Sequence, residues 1–129
     1  VGPASVGVFS GVRYHFSVDN AANKKFVEAY RAKYNEWPSS FAGEAYDGMS
    51  WWLDVVDATR SWDREKWVEA FRTSTRENSV EGRKVMRTCD HQAAQVGLWG
   101  EVVEGQAPLP PLTMKITNTF DAANLFEAC

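Results

Sequence analysis

Cys89-Asp90-His91 puts a thiol, a carboxylate and an imidazole on three successive residues. Such types suit metal ligation or thiol chemistry. Zinc, however, takes about four ligands at workable spacing, and adjacent residues of an extended chain point to opposite faces. The triplet is therefore read as a turn with a structural cysteine, and no metal ligand is assigned. Glu44, Asp47, Trp51 and Asp54 recur at helical spacing and share one face. Carboxylates on a helix serve acid–base chemistry when burial shifts their pKa values; these are read as a solvated acidic face. A hydrolase built on Asp90-His91 lacks a nameable third group. The sequence holds no glycine-rich phosphate loop, HExxH, paired CxxC or GxSxG. No catalytic residue, metal or cofactor is expected.

The whole composition narrows the class. A length of 129 residues suits one domain or part of a larger one. Hydrophobic residues make up 44% and charged residues 24%, a soluble globular balance. A net charge of -3 and a pI near 5.4 argue against a nucleic-acid partner, which needs a concentrated basic patch. No apolar run approaches the roughly 20 residues that span a bilayer. The chain opens Val1-Gly2-Pro3 without an initiator Met, and is read as a processed product or fragment. Cys89 and Cys129 are its two cysteines. In a cytosolic protein they are ordinary thiols; in an exported one an even count suggests a disulfide.

Several elements must position these residues. Val6–Phe9 and Val12–Phe16 read as strand pieces. Asp19-Asn20 supplies helix-start chemistry, and Phe26, Val27, Tyr30 and Tyr34 follow at helical spacing before Pro38. Ser39 or Ser40 caps a second helix whose apolar stripe is Ala42, Ala45, Tyr46, Met49, Trp52, Leu53 and Val56. Asp54 and Asp57 lie off that stripe. Trp51 and Trp52 are adjacent, so both cannot face one core. A third helix begins near Asp63, with Trp67, Val68 and Phe71 inward. Glu81-Gly82 turns, Lys84–Arg87 is a short strand, and Gln95–Val103 is a better one. Gln106–Pro111 holds three prolines and is read as a linker lying extended across a surface. Thr113–Thr119 reads as an edge strand and Asp121–Ala128 as a short closing helix. The fold class is α/β. Three one-sided helices with few strands leave apolar stripes uncovered, so part of the fold is expected elsewhere and the isolated chain is expected to self-associate.

The order of these pieces resembles the closing third of type I periplasmic solute-binding proteins, the branched-chain amino-acid (Leu/Ile/Val-binding) family of ABC importers. Gly11-Val12-Arg13-Tyr14-His15-Phe16 is similar to the strand that re-enters the first lobe. Asn23 to Tyr34 resembles the family's N-x-x-F-V-x-x-Y-x-x-x-Y helix, with Pro38 after it. Phe41-Ala42-Gly43-Glu44-Ala45-Tyr46-Asp47 resembles the next helix start. Asp63–Phe71, Val80-Glu81-Gly82 and Arg87-x-x-Asp90-His91-Gln92 match later pieces.

The resemblance implies a two-lobed fold of three-layer α/β lobes joined by hinge strands. Residues 1–92 would close the first lobe with its three helices. Residues 93–129 would be the returning strand of the second lobe and a proline-rich tail, with one crossing near Thr88–Gln92. It implies a periplasmic, non-enzymatic component that captures a small carboxylate-bearing solute in the interlobe cleft and docks on a membrane permease; a ligand-sensing regulatory domain is the alternative. Export makes a Cys89–Cys129 disulfide the expected pairing. Phe41 aligns with a family aromatic that packs on the ligand; its other reading is a hydrophobic staple for its own helix. The family's carboxylate- and ammonium-binding residues fall upstream of Val1, and none is assigned here.

Overall fold

Helix boundaries follow capping chemistry visible in the sequence. In the computed structural model, which describes residues 2–129, the Asn20 side chain accepts from the Asn23 amide and starts α1 (Ala21–Tyr34). This satisfies one of the first free N–H groups of the helix. Asn35 ends α1 in the left-handed region, at φ 54°. Ser39 caps α2 (Ser40–Thr59) by accepting from the Ala42 amide. Asp63 caps α3 (Arg64–Arg72) by accepting from the Glu65 amide. Val1, the first residue of the expected 1–92 segment, lies outside the described residues.

Among the described residues, six strands form two antiparallel sheets of three. The larger joins β1 (Phe9–Val12), β5 (Gly97–Glu104) and β6 (Leu112–Phe120) in the order β1-β5-β6. The smaller joins β2 (Thr75–Arg76), β3 (Lys84–Met86) and β4 (Ala93–Ala94) in chain order. The α/β class holds, with β3, β5 and the edge strand β6 close to their expected spans. The pairs β2 and β4 were not legible: two residues carry no periodicity. Thr88–Gln92, expected as a lobe crossing, is the turn between β3 and β4, closed by Arg87 N–H to Gln92 O at 2.9 Å and His91 N–H to Arg87 O at 3.0 Å. The chain passes between the two sheets after Val12 and again at Gln95-Val96.

Three further expectations are corrected. The two N-terminal strand pieces are one strand: beyond Val12 the chain leaves the sheet, and Tyr14 is driven to full burial, its hydroxyl donating to Asn23 Oδ1 at 2.8 Å. Gln106–Pro111 is not an extended linker. It is the loop of the β5–β6 hairpin, closed by Gly105 N–H to Pro111 O at 3.0 Å and held by Trp37 Nε1 donating to Pro108 O at 3.1 Å. Asp121–Ala128 is not a helix: only Ala122–Asn124 makes a single 3-10 turn, and Asp121 gives no side-chain cap. So short a segment without a cap does not offset the cost of nucleation.

The largest correction concerns α2. Its inward residues are Gly43, Asp47, Trp51 and Val55, while Tyr46, Met49, Trp52 and Leu53 of the expected stripe are exposed. Gly43 is required inside, because a Cβ there would collide with the Tyr14 ring. Two apolar clusters result. One gathers Tyr14, Phe26, Val27 and Val80; the other gathers Trp51, Val55 and Met86. Trp51 is buried and Trp52 is exposed, as adjacency demanded.

Candidate functional site

An open cleft of about 760 Å³ lies between the start of α2 and the β1-β5-β6 sheet. Arg13, Ser40, Phe41 and Glu44 line it from one side, and Leu98 and Trp99 from the sheet. The single Ser40 hydroxyl proton has two acceptors in reach, the Tyr14 carbonyl at 2.9 Å and Glu44 Oε1 at 3.2 Å, and the shorter bond ties the first turn of α2 to the chain leaving β1. Gly11 lets the Trp99 ring lie close: a Cβ there would sit 3.2 Å from its Cε3. Trp99 remains exposed at the cleft.

Phe41 is 82% exposed and lines this cleft. A ring so open contributes little packing to its own helix, so the staple reading has no support here. Arg13 also borders the cleft and, among the described residues, its guanidinium joins no ion pair. Sequence reasoning missed both Arg13 and Trp99 as site residues. Their signal lies only in strand pairing, which sets Gly11 opposite Trp99. Mostly apolar walls with one cation, a carboxylate and a hydroxyl suit binding: the walls bury an apolar body and the few polar groups orient it.

Behind the cleft lies an ion network. Asp47, expected on a solvated face, is fully buried. Its carboxylate accepts from Arg76 Nε at 2.9 Å, Ser79 Oγ at 2.9 Å and the Val80 amide at 3.2 Å, and meets Lys84 Nζ at 2.7 Å. Lys84 also meets Glu81 Oε1 at 2.7 Å, and Gln95 donates to the other Glu81 oxygen. Burial alone would raise the Asp47 carboxyl; hydrogen bonds from Lys84 and Arg76 outweigh it and hold it below the ordinary range. Burial raises the Glu81 carboxyl, and the bonds from Lys84 and Gln95 do not cancel that rise. Asp54 stays exposed and pairs with Arg76; Glu44 is half-buried. A recess of about 250 Å³ shares Arg13 and Glu44 with the cleft and is backed by Trp51, Glu81, Lys84 and Gln95.

The Cys89-Asp90-His91 turn has a structural occupation. Cys89 and Cys129 form a disulfide with Cα atoms 5.8 Å apart. Asp90 accepts from Arg87 Nε through both oxygens, at 3.1 and 3.0 Å, and from the Gln92 amide at 3.0 Å. His91 takes a left-handed backbone at φ 57°. Among the described residues no group of three or more His, Cys, Asp or Glu side chains is arranged to hold a metal.

The family model for periplasmic binding proteins matches residues 1–107. No curated protein matches the chain in sequence. Several solved structures share its fold. A solute-binding protein of an ABC transporter from Rhodopseudomonas palustris, in complex with 3,4-dihydroxybenzoic acid, is 24% identical with a TM-score of 0.83, over 95% of this chain and 33% of its own. A leucine-binding protein from Thermotoga maritima is 25% identical with a TM-score of 0.79, over the same shares of 95% and 33%. A leucine-, isoleucine-, valine-, threonine- and alanine-binding protein from Brucella ovis, in closed conformation, is 16% identical with a TM-score of 0.82, over 98% and 34%. This chain thus spans about a third of the length of these structures.

Proposed function

Because the chain belongs to the periplasmic binding protein family, we propose that its parent protein captures a small carboxylate-bearing solute, an amino acid or an aromatic acid, in the cleft beside Phe41. The observation that carries this reading is that the open Phe41 ring and the Arg13 guanidinium line one mostly apolar cleft, whose other polar groups are Ser40, Glu44 and Asn124. An aromatic wall offers apolar area with few torsions to lose, and an arginine fork matches a carboxylate in two-point geometry. The solved relatives support both ligand types: one holds an aromatic acid and another is a leucine-binding protein.

In this reading the protein works in the periplasm and delivers its solute to the permease of an ABC importer. It binds and releases without chemical change. Residues 1–92 serve mainly the first lobe and residues 93–129 the second, with β1 pairing on β5 of the second segment. The two passages between sheets, after Val12 and at Gln95-Val96, then act as hinge segments that let the lobes close.

Calorimetric titration of the intact parent with leucine and with 3,4-dihydroxybenzoate tests the reading. Phe41→Ala weakens the bound ligand by about 10- to 200-fold, the range for truncating one apolar contact, and leaves the thermal midpoint nearly unchanged because the ring is 82% exposed. Arg13→Gln weakens the carboxylate ligand but not its primary-amide analogue. Unchanged affinity in both variants, or no binding of either solute by the parent, overturns the proposal.

A further inference from the structure

We propose that the C-terminal strap, residues 121–129, is a wall of the solute cleft, and that Leu125 is a specificity-determining residue held there by the Cys89–Cys129 disulfide. The inference rests on the cleft reading above and adds a part of the site that neither the family match, which ends at residue 107, nor the cleft's first description contains. Beyond its single 3-10 turn the strap has no regular structure. Its backbone bonds to itself are Asn124 N–H to Asp121 O and Leu125 N–H to Ala122 O. A segment so short of its own bonds is positioned by what ties it down.

Three ties converge on one turn. Cys129 is bonded to Cys89. Arg87, at the start of the same turn, donates from Nη2 to the Glu127 carbonyl at 2.8 Å, and its guanidinium stands 5.0 Å from the Phe126 ring centre. Asp90 holds that guanidinium in place through both carboxylate oxygens. The turn therefore fixes residues 126, 127 and 129 and leaves Leu125 as the first apolar side chain before the clamp.

Leu125 is directed at β5 and the cleft. A Cβ on Gly97 would lie 2.8 Å from Leu125 Cδ1, so the missing side chain at 97 is the space the leucine occupies. Leu125 also lines the cleft together with Asn124 and Phe120, and stays 49% exposed there. An exposed leucine on an anchored strap adds little to core packing. Facing a cleft with Phe41 and Trp99, it limits the size and shape of the apolar body of a carboxylate ligand. Both cysteines are solvent-exposed, so a reductant reaches the bond and releases the wall.

The test uses the intact parent protein with leucine and benzoate as probes. Leu125→Ala lowers affinity for the better probe by about 3- to 30-fold. Leu125→Trp shifts the leucine-to-benzoate preference by about 10-fold or more. Both variants keep the parent's melting temperature to within a few degrees. Cys89→Ser with Cys129→Ser, and reduction of the native protein, each reproduce the Leu125→Ala loss and speed amide hydrogen exchange at residues 97, 98 and 124 to 126 while sparing α1. Affinity and preference within twofold of the parent in both Leu125 variants overturn the inference and leave the binding function standing. Unchanged exchange and affinity after disulfide removal overturn it as well. A parent that binds neither probe defeats the function and this inference together.

Discussion

Glu81 and Asp47 share one lysine yet titrate in opposite directions. Asp47 collects Lys84, Arg76, Ser79 and a backbone amide, which stabilise its charged form and depress its pKa. Glu81 is as deeply buried but has fewer compensating donors, so its pKa is raised. The signs follow by linkage. Asp47 contributes stability above its unfolded value near 3.8, lost as pH falls through its depressed folded pKa. Glu81 contributes stability below its unfolded value near 4.5, lost as pH rises through its raised folded pKa. Glu81→Gln fixes the neutral state. Urea midpoints measured against pH are expected to show parent and variant diverging as pH rises above 4.5, with the parent falling relative to the variant. A constant difference across that window counts against the raised pKa. None of this was legible in the sequence. A lone carboxylate on a helix looks the same whether it meets water or a distant pair of cations, and Arg76 and Lys84 reach Asp47 only through the short strands β2 and β3. Phe41 lines the cleft, and its part in ligand contact is a proposal first suggested by its motif, whereas Arg13 and Leu125 carry no local signal of facing a cleft.

At the scale of elements, the caps of the three α-helices and the inward Phe26 and Val27 of α1 were legible, whereas the inward face of α2 was not. Asn20, Ser39 and Asp63 act where their side-chain chemistry predicts, because capping involves residues only two or three apart. The inward face of α2 depends instead on which partner is present. Two glycines on that helix make the point measurable. Gly43 packs against Tyr14, and an added Cβ strikes the ring. Gly48 faces open space, with nothing within 4 Å of an added Cβ. Gly43→Ala is expected to destabilise by about 1–3 kcal/mol through overpacking. Gly48→Ala is expected to stabilise by up to about 1 kcal/mol through helix propensity. Thermal melts of the two variants should move in opposite directions. A common direction would mean that α2 is seated on another face.

The whole molecule explains why the apolar stripe was misread as a core face. Tyr46, Met49, Trp52 and Leu53 are 49, 59, 42 and 52% exposed on one side of α2. The sequence pattern is that of a helix face meant for burial, yet among the described residues it is met only at its edges, Tyr46 by Phe26 of α1 with ring centres 4.4 Å apart and Trp52 by Trp67 of α3 at 5.9 Å. The chain spans about a third of the solved relatives, so two thirds of the length of such a fold is available to cover the stripe. Isolated monomers rarely leave contiguous apolar patches of this kind in water. The isolated chain is therefore expected to self-associate, and light scattering should report a mass above the 14.5 kDa of one copy, increasing with concentration. Met49→Lys together with Leu53→Glu should restore the monomer without lowering the melting temperature, because neither side chain belongs to the buried clusters. The same pair placed in the intact parent should destabilise it by several kcal/mol, since two charges would then be forced into a covered apolar interface. A monomeric isolated chain with a sharp melt, or a parent indifferent to the double substitution, would show instead that the stripe faces solvent in the assembled protein.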